Sequence, residues 1–579
     1  MMCCLLQAEH PTCSLCRKLD LKCDYNASAS SRYNDTLSTS RVEHHVPASP
    51  TRTQGFDNMQ LDTLDFMQFP GMNYDIPAKF FPTPVASSSD YPTPGSTAEQ
   101  SAITLDLGML DSFQLPPRHV ILQICELFFE HLYHMFPCFH KRKFLAEVEC
   151  GHLEKNAPLL LYAVCCVAAR YHPDSSTRKR SKHWFEQARF SYDLTRRRPA
   201  PALRTIQAVI LLVFHAWTIG DYSTSWLFLG KAWRQIVVLN LNRMDASDHL
   251  ADARADDETS CASGKANTDS AVEREETRRA LWLLFIMDRM NAWPTGWPNT
   301  IPEIQFKVDI PVADSEFQNM DRDPRDNCYV NLPFTRNLSR LINSVSVVRE
   351  PLNVFHFVIV AHVLLGRVSE LVHSLHNVPD SLEYAEDCTE LDDMIVKFRL
   401  SLPRPASSIL EAPAADRGHV AWLHIILNTM TILLHYRSNA HTSIQDAASE
   451  FTIAVIAARN IAHIVKDASR ISIDLLLSAH IGSSLYVAAC VLIIQWRLTG
   501  DTSLKEDIDL IALLFERMDE VFSFLGLKFK IALEHDLQKS SEDLQSLQKR
   551  GIKGMLADCT KWTHVKQEVE RRGLDIDLS

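Results

Sequence analysis

An all-α fold is predicted for this chain from three features of its sequence. Only 17 of 579 residues are Gly, too few for a turn-rich β architecture. Long runs of Leu, Ala, Val and Ile recur from about residue 116 onward. Within them apolar residues return at i, i+3 and i+4, as at Ile206, Val209, Ile210 and Val213, or at Leu281, Leu284 and Phe285, whose face also carries Asp288. With 46% hydrophobic and 22% charged residues the composition is that of a globular protein. Such a length exceeds what one ordinary core needs, so two or more packed units or one large helical array are expected.

Composition divides the chain into four zones. Residues 1–25 hold five cysteines and three basic residues. Residues 26–115 are rich in Ser, Thr, Pro, Asn and Asp, as in Phe81-Pro-Thr-Pro84 and Tyr91-Pro-Thr-Pro-Gly95. That segment has too little apolar surface to offset its ordering entropy and reads as a disordered linker. Residues 116–560 carry the helical pattern, and 561–579 form a charged C-terminal tail. Inside the helical zone Asp245 to Glu276 is acidic and rich in small residues, the pattern of an exposed loop between two core helices. No fixed-period repeat is seen, and no heptad run follows the cysteine-rich segment.

The formal net charge of −12 makes the chain as a whole no general binder of polyanions; nucleic-acid contact requires a local basic patch. Fifteen cysteines are scattered through apolar runs such as Val164-Cys-Cys-Val167, which is the pattern of reduced thiols inside a protein. Leu475 to Ile494 is long and apolar enough to raise the question of membrane insertion. It is read as a buried helix, because comparable runs (Thr205–Phe214, Phe355–Leu365) recur as an array of core helices requires. No membrane partner is expected.

The most informative short segment is Pro11-Thr-Cys13-Ser-Leu-Cys16-Arg-Lys-Leu-Asp-Leu-Lys-Cys23-Asp-Tyr25. Cys13 and Cys16 form a C-x2-C knuckle whose thiolates reach one tetrahedral zinc, and Cys23 lies a helical turn or two further on as a third ligand. A redox C-x2-C expects a preceding strand of a βαβ unit, for which there is no room before Cys13. The spacing resembles the fungal binuclear zinc cluster, where six cysteines hold two zincs in two C-x2-C-x6-C halves. Pro11 and Tyr25 match the second half of that pattern, whereas Leu19 and Asp20 stand where the first half carries basic residues. Read so, Cys3 or Cys4 stands in for the family's third cysteine. The metal set implied by the resemblance is Cys4, Cys13, Cys16 and Cys23 around Zn(2+).

In that family the basic helix of the first half reads base edges in the major groove. Here the first C-x2-C and its helix are missing, and the candidate DNA contacts are Arg17, Lys18 and Lys22. Three acids, Glu9, Asp20 and Asp24, balance them. The expectation is therefore DNA binding that is weak or lost in the chain as written. Two alternatives stay open: an N-terminally incomplete version of a longer protein, or a protein that has lost DNA reading.

A broader resemblance covers residues 120–320. Phe128-Phe-Glu-His-Leu-Tyr-His-Met-Phe-Pro-Cys-Phe-His-Lys-Arg-Lys-Phe144-Leu145, Thr205–Leu212, Trp226–Trp233 and Leu239–Arg243 follow in the order of the fungal transcription-factor middle homology region. Glu275-Glu-Thr-Arg-Arg-Ala-Leu-Trp-Leu-Leu-Phe-Ile-Met-Asp-Arg289, then Thr295-Gly-Trp-Pro298, Ile301-Pro302 and Val308-Asp-Ile-Pro311, resemble its most recognisable signature. Physically, Glu275 and Glu276 suit a helix N-terminus. Trp282, Phe285 and Arg289 share a face, Asp288 and Arg289 are expected to pair with groups from neighbouring helices, and Gly296 and Pro298 end the helix.

His131, His134 and His140 are close enough to suggest a metal, yet no H-E-x-x-H follows and the flanking aromatics favour packing. No P-loop, nucleophile elbow or dinucleotide fingerprint is present, so no enzyme activity is expected. Residues 57–80 and 105–113 interleave acids with Leu, Met, Phe and Tyr, which suits a coactivator contact. The resemblance implies a nuclear regulator of genes transcribed by RNA polymerase II. Its helical body would respond to a small-molecule or protein signal and associate as a homodimer or heterodimer. The alternatives are a helical regulatory partner without DNA binding of its own, and an enzyme whose site goes unrecognised.

Overall fold

The computed structural model describes residues 114–195, 202–246, 270–320, 330–347, 351–376, 381–436, 444–522, 524–540 and 542–544, with single positions between 567 and 573. Helix α1 (Arg118–His131) follows a Pro-Pro pair and buries Ile121, Ile124, Cys125 and Phe128. A 3-10 turn (Tyr133–Met135) and the Pro137 bend lead to α2 (Lys141–Glu149), capped by the His140 ring, which accepts the Lys143 N–H at 3.3 Å. Helix α3 (His152–Asn156) precedes α4 (Pro158–Ala168), which starts on Pro, where a missing N–H removes no helical bond. Every residue of α4 from Leu159 to Ala168 is buried.

Helix α5 (Ser175–Lys179) is capped by Asp174, which accepts the N–H groups of Ser176 and Thr177. Then come α6 (Ser181–Leu194), α7 (Ala202–Thr218), α8 (Tyr222–Val238) and the 25-residue α9 (Ala271–Thr295). The second half holds α10 (Asp314–Phe317), α11 (Leu338–Val345), α12 (Val354–His373), α13 (Leu382–Ser401) and α14 (Arg404–Ser407). It finishes with α15 (Arg417–His435), α16 (Ile444–Ile471), α17 (Gly482–Thr499), α18 (Thr502–Phe522) and α19 (Leu525–Gln538). Asp, Asn and Ser caps recur at the starts of α8, α9, α11, α12 and α13, each giving an otherwise orphaned N–H a side-chain acceptor.

These helices stack as a continuous array. α1 packs on α4, α4 on α6 and α7, and α7 on α8 and α9. The array continues from α9 to α12, α12 to α15, α15 to α16, and through α17, α18 and α19. One large apolar cluster runs through this array, and a second, small one joins Val272, Val312, Phe317 and Met320. The fold is all-α: among the described residues the only strand-like pairing is one antiparallel bridge between Ile310 and Leu332.

Two expectations need correction. The apolar run Leu475–Ile494 is not one helix. A 3-10 turn (Ile473–Leu476) and a bend precede α17, which starts at Gly482. At that bend the Ser478 hydroxyl takes the His480 N–H (3.3 Å) and pairs with the His480 ring at 2.7 Å, a local bonding pattern that competes with helix. By length and composition alone α12 and α17 could each cross a membrane. They are 89% and 67% buried inside the protein, as helices in the middle of an array are. The acidic stretch Asp245–Glu276 is likewise not exposed loop throughout. Residues 271–276 already belong to α9, where Glu275 and Glu276 are buried, and Asp245 is drawn inside by an arginine. Residues 247–269 lie outside the described part.

Candidate functional site

Helix α9 concentrates the buried charge of the body. Ser270 caps it by accepting the Glu273 N–H at 3.2 Å, and Gly296 ends it with φ +70°, a left-handed conformation that side chains resist. Between these ends Glu275, Glu276, Arg278, Arg279, Asp288 and Arg289 are all buried. Charges so placed need partners, and among the atoms of these six side chains only Glu276 Oε2 and Arg289 Nε are buried without a hydrogen bond among the described residues.

Arg279 is the centre of the network and is fully buried. Its Nε reaches Glu275 at 3.2 Å, Nη1 donates to the Pro137 carbonyl (2.9 Å) and to Asp314 (3.1 Å), and Nη2 donates to the Val312 carbonyl (2.7 Å). Its guanidinium also lies 4.3 Å from the Phe317 ring centroid. One side chain thus ties the α1–α2 bend and the 312–317 segment to α9. Glu275 in turn accepts the Val312 N–H (3.0 Å), Arg278 (2.8 Å) and the Asn331 amide (3.1 Å). Arg278 grips Asp245 with two bonds of 2.9 and 2.7 Å, and Asp245 also accepts the Asp309 N–H at 2.9 Å. Burial works against the charge on Arg278, but the Asp245 and Glu275 carboxylates outweigh it and hold its pKa above the ordinary arginine value.

Glu276 faces the other way. It accepts the His140 N–H at 2.9 Å and lies 3.5 Å from Arg204, which is engaged with Glu147 at 2.9 Å. Burial pushes the Glu276 carboxyl above its usual range, against the pull of Arg204 and of the His140 N–H. Gln207 closes this side by donating to the Cys138 carbonyl at 2.6 Å.

Further along, Asp288 accepts the N–H groups of Thr300 and Ile301, both at 3.0 Å. Arg289 binds Asp288 at 2.5 Å and the Ile301 carbonyl at 2.8 Å. The expected partners on neighbouring helices are therefore replaced by the 300–301 turn, which a helical pattern cannot foresee. Arg289 does shape its neighbour: a Cβ on Gly366 of α12 would lie 2.7 Å from the Arg289 Nε, so α12 has no side chain there. Trp282, Phe285 and Arg289 do share a face, with Trp282 5.3 Å from Phe285 and Arg289 3.8 Å over the Phe285 ring. The Trp282 indole donates to the Asp309 carbonyl at 2.9 Å.

The three N-terminal histidines separate. His131 stacks on Tyr171, His134 sits beside His419, and His140 caps α2 with its edge on Phe317. Among the described residues no group of three His, Cys, Asp or Glu is placed to hold a metal. Among the described residues no disulfide joins the cysteines, most of which are buried. Cys4, Cys13, Cys16, Cys23, Arg17, Lys18 and Lys22 lie outside the described residues, as do segments 57–80 and 105–113. Sequence reasoning missed Arg204, Gln207, Asp309, Asp314 and Asn331. The available signal was the unpaired carboxylates and guanidiniums of α9, which demanded partners without saying where.

This geometry joins distant segments between Tyr133 and Asn331 around one helix, and residues 125–365 match the model of the fungal specific transcription factor domain. Over that stretch the chain is similar to that domain. Its match starts within α1 and ends within α12, so the fungal specific transcription factor domain encloses the whole α9 network. A Zn(2)-C6 fungal-type transcription factor, FTF1c, of Fusarium oxysporum f. sp. lycopersici is 29% identical over 44% of this chain and 26% of its own length. Two further relatives are citrinin biosynthesis transcriptional activators, mrl3 of Monascus ruber and ctnR of Monascus purpureus. Each is 24% identical over 41% of this chain, which covers 45% and 40% of their lengths respectively. The aligned part of the chain thus spans about a quarter of the Fusarium relative and less than half of the Monascus ones.

Proposed function

We propose that this chain is a nuclear transcription regulator of the fungal zinc-cluster type, acting on RNA polymerase II genes. Residues 1–25 form its metal-binding head, 26–115 a connecting segment, 116–560 the regulatory body and 561–579 the tail. The observation that carries the reading is the family match over 125–365, together with the Cys13-x2-Cys16-x6-Cys23 spacing ahead of it. The donor set fits one zinc: three thiolates from Cys13, Cys16 and Cys23 and a fourth from Cys4 complete a tetrahedron. Five cysteines in residues 1–25 fall one short of the six that two zincs share in the full cluster. The metal would hold the short segment bearing Arg17, Lys18 and Lys22 in one shape, and these three contact phosphates. Residues 57–80 and 105–113 contact a coactivator, and the body associates as a homodimer or heterodimer.

The test is to tether the 579-residue chain to an unrelated DNA-binding domain upstream of a reporter in a fungal host. A change in reporter output in either direction, abolished when residues 116–560 are removed, is expected; an unchanged reporter overturns the reading. A second reading, a regulatory partner without sequence-specific DNA binding of its own, is favoured by the balance of three bases and three acids in residues 1–25. In an anisotropy titration at physiological salt the chain should bind a CGG-type half-site no better than random duplex. Adding an upstream C-x2-C-R-x-R-K segment should create selectivity. Tight selective binding by the unextended chain excludes the second reading.

A further inference from the structure

We propose that a cleft beside α9 binds a small aromatic molecule that carries an O–H or N–H donor and no negative charge. The cleft has a volume of about 220 Å³. Its walls expose polar and apolar surface in about equal measure: Ile310, Val312, Leu332, Val345, Leu352 and Phe357 supply the apolar part, and Val330 stands at its rim, 73% exposed. An apolar cavity of about 150 Å³ holds benzene, so this space suits a fused pair of rings with about ten to twelve heavy atoms.

The polar atoms of the lining decide the chemistry. Asn353 is held by its amide donating one hydrogen to the Pro311 carbonyl (2.7 Å) and by its oxygen accepting the His356 N–H (3.1 Å), which leaves its second amide hydrogen. Ser344 donates to the Leu341 carbonyl (2.6 Å) and lies 3.2 Å from the His356 ring. Asn331 commits its amide hydrogens to Glu275 (3.1 Å) and to the Ile310 carbonyl (3.0 Å), which leaves its amide oxygen for a ligand. Glu316 accepts the Ala313 N–H with one carboxylate oxygen (3.2 Å), which leaves the other. What the cleft offers an occupant is therefore two acceptors, one of them anionic, beside one amide hydrogen of Asn353, and no Lys or Arg is among the described residues that line it. A donor is matched and an anion repelled.

The position gives the occupant leverage. The Val312 N–H and the Asn331 amide both bind Glu275, so a molecule held at Asn331 lies one residue from the ion network of α9. The site deepens the reading of the body as regulatory and rests on that reading for its consequence, while binding itself is independent of it.

The experiment is an isothermal titration of the full chain with three probes of one shape: 2-naphthol, 2-methoxynaphthalene and 2-naphthoate. Saturable one-to-one binding of 2-naphthol is expected, weakened roughly tenfold or more when the donor is methylated and undetectable for the carboxylate. Val330→Trp, at an exposed position where folding is not at stake, should close the mouth and reduce 2-naphthol affinity at least about tenfold with an unchanged melting curve. Absence of saturable 2-naphthol binding, equal binding of 2-naphthoate, or equal affinity in V330W each overturns the proposal. Because the titration involves neither DNA nor transcription, its failure leaves the regulator reading standing, and failure of the tethered reporter leaves the cleft standing.

Discussion

The α9 network and the histidine cluster around Trp422 bury polar groups in opposite ways. In the network carboxylates and guanidiniums face one another, and backbone and side chains from several separate segments converge on them. In the cluster His480 lies among Phe214, Trp217 and Trp422 at ring distances of 5.8, 5.5 and 4.8 Å, and His362 lies 5.0 Å from Trp422. The His362 Nε2, His419 Nε2 and Trp422 Nε1 find no hydrogen-bond partner among the described residues. Burial holds His134 and His362 down to about 4 and His480 to about 3, with neighbouring imidazoles adding to the effect on His480 and His134. A charge survives burial where rigid partners surround it; an imidazole escapes the same cost by staying neutral.

The largest effect should come from Arg279→Ala, which removes one of the two cations facing Glu275 and leaves the Pro137 and Val312 carbonyls without this donor. A loss on the order of 3–5 kcal/mol is expected in urea unfolding. A loss below about 1 kcal/mol would show that the network relaxes and contributes little. Next comes Asp245→Asn, which keeps the shape but removes the charge opposite Arg278 across 33 residues of chain. About 2 kcal/mol is expected, with non-additivity in a cycle with Arg278→Ala; additive losses would mean the pair is not coupled.

The histidine cluster predicts a pH dependence of smaller size. An unfolded histidine takes its proton near pH 6.5, and His480 in the fold resists until about 3. Between those values the unfolded chain binds more protons, so stability is present above pH 6.5 and drains as the pH falls toward 3. His480→Asn should reduce the slope of stability between pH 6.5 and 4.5 by on the order of 1 kcal/mol per pH unit. Parallel curves for the two proteins would remove His480 from the acid response. The smallest effect is expected at Arg404–Glu411, which has the same two-bond geometry as Arg278–Asp245 but lies in water. Glu411→Gln should leave the melting curve unchanged within error. A clear loss there would mean that bond geometry rather than burial sets the strength of these pairs.

Much of the fold was legible because helicity is local. Gly296 marks the end of α9, and the unbroken apolar runs of α4, α7 and α12 announce interior helices. Local reading failed where a short-range bond overruled the pattern, as Ser478 and His480 interrupt the apolar run before α17. It failed again where charge had to be matched over distance.

The sequence by itself determined that this protein is a helical array and that Asp288 and Arg289, late in an apolar helix, would need partners. Tertiary structure alone decided the partners of the buried charges. Arg279 meets a carbonyl 142 residues away and Arg278 an aspartate 33 residues away, while Asp288 closes on a turn rather than a helix. The reason is physical: a helix constrains neighbours three and four residues apart, whereas a buried charge is satisfied only by whatever the packing of the whole chain brings within about 3 Å of it.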